Sequence, residues 1–354
     1  MKDFSVLDRI TEEYRSKGYF PSAVISVFDD KNTLYRKAYG ENLLPDGTIS
    51  AVDERTAFDM ASCTKICTST QILLLIDEGK LRLEDRITRI LPEIKSRKNL
   101  YARLRSVTIY QLLTHTSGIL DWYPFYTQKG KDFFDVFESF IGNTEIVDGM
   151  EYSDMNYMLL GLVIAKVKGK PLDACLEDLR IALGAGRLAY RMEQGQDRDN
   201  MAPSCYGNSI EERMVAQRGL SFEGWRSKDQ PVIGCNDGNT HYFFDDVAGL
   251  AGISAEADAY ERLCRLYLTT ESPLLLRSMT EQEPERGLGW QVGENLYPEG
   301  CGHTGFSGPW IYVCRKHNFG VVTLVNRLAY PTEHGTNTGD YRRAIAAAVH
   351  EMMK

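Results

Sequence analysis

At 354 residues, 43% of them hydrophobic, the chain holds enough apolar material for a large buried core, in one big domain or two interlocked ones. Its formal net charge is -8 and its basic residues are scattered rather than blocked, which makes nucleic acid and anionic membrane surfaces poor partners. No stretch approaches the ~18 consecutive apolar residues of a membrane-spanning helix, and the N-terminus lacks the apolar core of a signal peptide, so the expectation is a cytoplasmic protein.

In chain order, Phe4, Leu7, Ile10 and Tyr14 recur at helical spacing and predict an amphipathic helix over residues 3–17, ending near Gly18. Ser22 to Phe28 and Thr33 to Tyr39 read as a β-hairpin turned by Asp29-Asp30-Lys31-Asn32, and residues 40–53 read as loop. A helix then runs from Ser62 to a stop at Gly79, apolar on nearly every face and therefore buried. Thr108 to Gln111 is a capping-box pattern opening a short helix, and Asp154 to Lys168 is another buried helix. Residues 184–239 are polar, Gly-containing and loop-rich. A helix returns over 255–268, strands are predicted at 288–292, 311–314 and 321–325, and a last helix covers about 341–352. Strands at both ends with helices between predict an α+β fold. In that reading an antiparallel sheet built from residues 1–60 and 240–354 is flanked by the N- and C-terminal helices. A mainly helical domain, 61–239, is inserted into it, and the active site lies in the cleft between.

The eight cysteines show no paired spacing, and neither Cys-x-x-Cys nor His-Glu-x-x-His occurs, so neither disulfides nor a metal ion is expected. The chemistry concentrates at Ala61-Ser62-Cys63-Thr64-Lys65. Ser62 and Lys65, three residues apart at a helix start, share one face, which sets a hydroxyl beside an amine. A serine is a poor nucleophile until a base takes its proton. For Lys65 to be that base it must be partly neutral, and burial together with the positive helix end is expected to lower its pKa.

Ser62-Cys63-Thr64-Lys65, Leu112 to Gly118, Tyr152-Ser153-Asp154 and His303-Thr304-Gly305 follow one another as in the serine β-lactamase and penicillin-binding-protein superfamily. The chain resembles most its class C β-lactamase, DD-peptidase and esterase branch, from about Ser22 to the C-terminus. The resemblance implies an acyl-enzyme serine hydrolase that needs no cofactor or metal and acts on a small-molecule or peptide-like substrate. Ser62 is then the nucleophile, and Lys65 and Tyr152 are a coupled acid/base pair. The backbone N–H groups of Ser62 and Phe306 form the oxyanion hole, with Thr304 and Gly305 beside it. His115 reads as structural.

Two departures bear on substrate. Asp154 stands where the β-lactamases of this branch have asparagine, and His303 where they have lysine. An ionised Asp154 accepts but cannot donate, and a histidine is mostly neutral at pH 7. Weak or absent β-lactam hydrolysis is therefore expected. The substrate is an ester, amide or peptide, with Asp154 free to meet an amine on it. In a second reading Asp154 pairs with Lys65, keeps it charged and moves the base role toward Tyr152. Tyr242 and Phe243 read either as specificity contacts near the cleft mouth or as plain loop packing. An acyltransferase, or a non-catalytic binding protein on the same fold, are the other classes the residues leave open, as is a genuine β-lactamase or DD-peptidase.

Overall fold

A computed structural model of the chain describes residues 2–128, 130–196, 198–330 and 337–354. The hairpin forms where its β-branched residues predict it, as β1 (Ser22–Phe28) and β2 (Thr33–Leu43). β2 runs past Tyr39 to pair with β3 (Ile49–Ala51), so part of the stretch read as loop is sheet. Three residues are too few to show an alternating pattern, which is why β3 was invisible. β4 (Phe58–Asp59), β5 (Leu188–Tyr190), β6 (Pro203–Tyr206), β7 (Pro231–Ile233) and β8 (Ile253–Ala255) are equally short. The series ends with β9 (Gln291–Val292), β10 (Cys301–Thr304), β11 (Trp310–Cys314) and β12 (Phe319–Val325).

The main sheet has the order β3-β2-β1-β12-β11-β10-β9 and is antiparallel throughout. Its centre is the β1–β12 ladder, in which Ala23 faces Val325 and Phe28 faces Gly320, so the two ends of the chain meet in one sheet. Both strands are buried at every position. The period of two then sorts their side chains. Ala23, Ile25 and Val27 pack on one face with Leu7, Phe20, Tyr341 and Ile345, whereas Val24, Phe28, Val322 and Leu324 enter the large core on the other.

The first of those faces is covered by α1 (Ser5–Ser16), where Leu7 and Thr11 point inward and Gly18 (φ 79°) follows the end. α2 (Thr64–Asp77) lies in the large core, buried at all but a few positions, as its uniform apolarity requires. Beside it come α3 (Ile87–Ile90), α4 (Lys98–Leu104), α5 (Ile109–Leu113), α6 (Phe133–Ile141), α7 (Asp154–Lys168) and α8 (Leu172–Leu183). α5 opens with the reciprocal Thr108–Gln111 capping box, and α7 stops at Gly169, whose φ of 66° suits a residue without Cβ.

The 184–239 segment is more ordered than its composition suggests. β5 joins β8 and β4 in a three-stranded sheet, β6 pairs with β7, and α9 (Ser209–Gln217) lies between them. At 288–292 the reverse holds, because only Gln291 and Val292 pair. α10 (Ala257–Thr269), α11 (Pro273–Ser278) and α12 (Gly339–Met353) complete the fold, with α12 beside α1. α10 is fastened to the sheet by Glu261, fully buried, which accepts hydrogen bonds from Ser26, Thr33 and Arg36 and pairs with Arg265. All eight cysteines are free and buried. No helix among the described residues is long and apolar enough to cross a membrane.

Candidate active site

Ser62 sits in a tight turn, Ala61–Cys63, that joins β4 to α2. Ala61 is held at φ 44°, a left-handed conformation that costs a residue with a Cβ about 1 kcal/mol. The turn is braced by the buried Asp59 carboxylate, which accepts from the Ala61 N–H at 3.2 Å, and by the Cys63 N–H bonded to Met60 O. Burial raises the Asp59 pKa to about 6.

Lys65, one turn on, is fully buried, with two hydrogen-bond acceptors and one ion-pair partner around its ammonium. Nζ lies 3.0 Å from Ser62 Oγ, 3.0 Å from Leu250 O and 2.8 Å from Asp154 Oδ1. The rings of Tyr152 and Tyr157 stand 5.1 and 5.6 Å away. Burial pulls the pKa of Lys65 down, but Asp154 and Tyr152 outweigh it and the net shift is upward. The expected downward shift is thus overturned, and the second reading, in which Asp154 keeps Lys65 charged, is the one realised, because the charges brought by α7 and Tyr152 outweigh burial. Asp154 is the first residue of α7, and of its two readings the structure realises the pairing with Lys65. Tyr152 reaches both Ser62 and Lys65; burial raises its pKa, with Lys65 opposing.

His303 is buried beneath the cleft floor and donates Nδ1–H to Thr304 O at 2.8 Å. Burial, then Lys65 and Arg286, push its pKa well below the ordinary histidine value, so it is neutral and adds no charge to the cleft. The cleft itself has a volume of about 450 Å³; Ser62, Tyr152, Thr304, Gly305 and Phe306 line it, while Asp154 and His303 do not. Among the described residues, the N–H groups of Ser62 and Phe306 donate to no protein acceptor, so both are free to meet a developing oxyanion. Gly305 permits the close approach of β10 to the nucleophile turn, since a Cβ there would come within 2.8 Å of Met60 O.

Three arginines missed from sequence also line this cleft, and among the described residues no carboxylate does. Arg342 is spent on the carbonyls of Gly305, Gly308 and Pro309, and so holds the end of β10 in place. Arg327 donates Nε–H to Phe306 O at 2.6 Å and lies over the Phe306 ring. Arg286 lies 5.1 Å over the Tyr152 ring, and its buried Nε has no acceptor. The signal for it was the loss of a cation at 303, which invites a replacement nearby in space. Tyr242 and Phe243 are not at this cleft: they line a separate hollow with Tyr126 and Phe222. His115 is buried and accepts from the Ser153 N–H at 3.0 Å, setting the chain just before α7.

An N-acetylmuramyl-L-alanine amidase of Bacillus subtilis (strain 168) is 26% identical over 403 aligned residues, covering 100% of this chain and 90% of that protein. The octameric penicillin-binding protein homologue of Pyrococcus abyssi superposes with a TM-score of 0.72 at 20% identity, covering 99% of this chain and 77% of that one. A class C β-lactamase of Rhodobacter sphaeroides gives 0.70 at 17% identity, covering 98% and 99%. With the Beta-lactamase family model matching residues 7–346, a serine and a lysine one helical turn apart, and this sheet and helix arrangement, the chain belongs to the β-lactamase family of serine hydrolases.

Proposed function

We propose that this hydrolase cleaves an ester, amide or peptide bond through an acyl-enzyme on Ser62, that its substrate carries an anionic group, and that β-lactams are poor substrates. The observation carrying the reading is a nucleophile with Lys65 and Tyr152 at one wall of a cleft whose charged lining groups, among the described residues, are all arginine. Lys65 donates to Ser62 Oγ, so the hydroxyl proton is left to Tyr152 and the pair together takes it during attack. The N–H groups of Ser62 and Phe306 receive the oxyanion, a role worth roughly 3 kcal/mol per donor. The proton then passes to the leaving group, and water repeats the sequence on the ester of Ser62.

Asp154 is committed to Lys65 and does not line the cleft, so an amine on the substrate meets no acid among the described residues; the arginines favour the opposite charge. A β-lactam loses both the asparagine donor and the lysine that the resemblance assigns to positions 154 and 303. The amidase name of the Bacillus relative supports counting amides among the substrates.

Mass spectrometry of the protein with p-nitrophenyl esters, D-amino acid amides and a chromogenic cephalosporin tests this. An acyl mass on the wild type but not on Ser62→Ala, with faster turnover of esters than of the cephalosporin, is the expected result. Rapid cephalosporin turnover would refute the substrate assignment, and absence of any acyl adduct would refute the mechanism.

A further inference from the structure

We infer that Glu299, His317 and His350, none of which lines the catalytic cleft, form a binding site for one divalent transition-metal ion of the Zn2+ class. The three come from separate elements: Glu299 from the loop before β10, His317 from the turn between β11 and β12, and His350 from the last turns of α12. Their ligand atoms lie within 4.8 Å of one another. Both imidazoles aim Nε2 at the same carboxylate oxygen, His317 at 2.7 Å and His350 at 3.3 Å from Glu299 Oε2. Ligands of a tetrahedral Zn2+ held at about 2.1 Å stand about 3.4 Å apart, so small side-chain movements would admit the ion.

The hydrogen bonding around His350 carries the argument further. The Tyr312 hydroxyl gives its proton to Pro298 O, so its oxygen is the acceptor for His350 Nδ1, 3.3 Å away. That fixes the proton of a neutral His350 on Nδ1 and leaves the Nε2 lone pair facing a carboxylate oxygen. Two acceptors 3.3 Å apart repel unless a proton or a metal ion is held between them. An imidazole whose other nitrogen is anchored in this way is also the arrangement that orients metal-binding histidines. Two nitrogens and one oxygen with a fourth position open to water match the Zn2+ donor set, and the shallow position gives the ion a path in. Lys316 pairs with the other oxygen, Oε1, leaving Oε2 to the histidines. Spread over residues 299–350, the three form no short motif, which is why the sequence offered no metal pattern.

Isothermal titration of tag-free, chelator-treated protein with Zn2+, paralleled by the visible absorption of Co2+, is the test. The expected result is one equivalent bound at micromolar or tighter affinity, a four-coordinate Co2+ spectrum, and about ten-fold or greater weakening in His350→Gln, His317→Gln and Glu299→Gln. Ser62→Ala should bind the ion like wild type, and acylation of Ser62 should persist after chelation, which separates this site from the catalytic reading. Should His350→Gln fail to fold, His317→Gln on the exposed turn decides alone. No binding, or variants that bind like wild type, would overturn the assignment and leave a protonated His350 as the cation.

Discussion

A lysine ammonium that donates to Ser62 Oγ and Leu250 O and ion-pairs with Asp154 is a donor in the resting state, and in the proposed mechanism it becomes a base only when a proton leaves the Lys65–Tyr152 pair. Both groups have raised pKa values, so kcat/KM is expected to climb with pH on its alkaline side. Asp154→Asn removes the carboxylate that holds the ammonium charged, so the Lys65 pKa falls and the rising limb moves to lower pH, by about 1 to 3 units. The pH–rate profiles of wild type and variant check this, and coincident limbs would show that Asp154 does not govern the pair. Arg286 is the corresponding test for substrate charge. Arg286→Ala is expected to raise KM about ten-fold for an ester bearing a terminal carboxylate and to change it little for the neutral acetate ester; equal effects on both would refute an anion-binding role. Ser62, Lys65 and Tyr152 could be read from sequence because a spacing of three fixes the first two on one helix face and a motif carries the third. The Lys65 charge state was left between two readings, since it depends on whether a carboxylate 89 positions along the chain, 154 minus 65, packs against the ammonium. Arg286 was hidden for the same reason.

At the level of elements, the active site is the meeting of the β4–α2 turn with the end of β10, and Gly305 sets how closely they approach. Gly305→Ala would press a methyl group toward Met60 O and tilt the Phe306 N–H away from the oxyanion. A loss of about 100-fold in kcat with an unchanged circular dichroism spectrum is expected, by analogy with removal of one oxyanion donor; full activity would show that β10 can shift at no cost. The elements that sequence reading found were long and periodic: α1, α2, α7, α10, α12 and the central strands. Besides α9, the ones it missed are strands of two to four residues whose partners lie far off, as Leu188 pairs with Ala255 and Tyr206 with Pro231. Such segments are defined by their partners and carry too few residues to display a period. Of the two readings of Tyr242 and Phe243 the structure realises packing, because apolar residues in a polar stretch mark burial without saying against what; here it is the cluster with Tyr126, Phe222 and Trp225.

For the molecule as a whole, the ladder between β1 and β12 and the contacts of α1 with α12 make the chain ends mutually dependent. Glu261 ties the helical side to that sheet through Arg36, Arg265, Ser26 and Thr33. Glu261→Ala would leave two arginines without their buried partner, and a loss of about 3 to 5 kcal/mol in urea unfolding is expected; a loss under about 1 kcal/mol would mean that water replaces the carboxylate freely. The burial of every cysteine has a practical corollary. A thiol-reactive dye has nothing to modify while the chain is native, so its rate of uptake becomes a clock for opening, and eight chemically identical reporters are already distributed from Cys63 to Cys314. Followed with and without an acyl group on Ser62, that clock would time how much the covalent intermediate steadies the fold, without a label having to be engineered in.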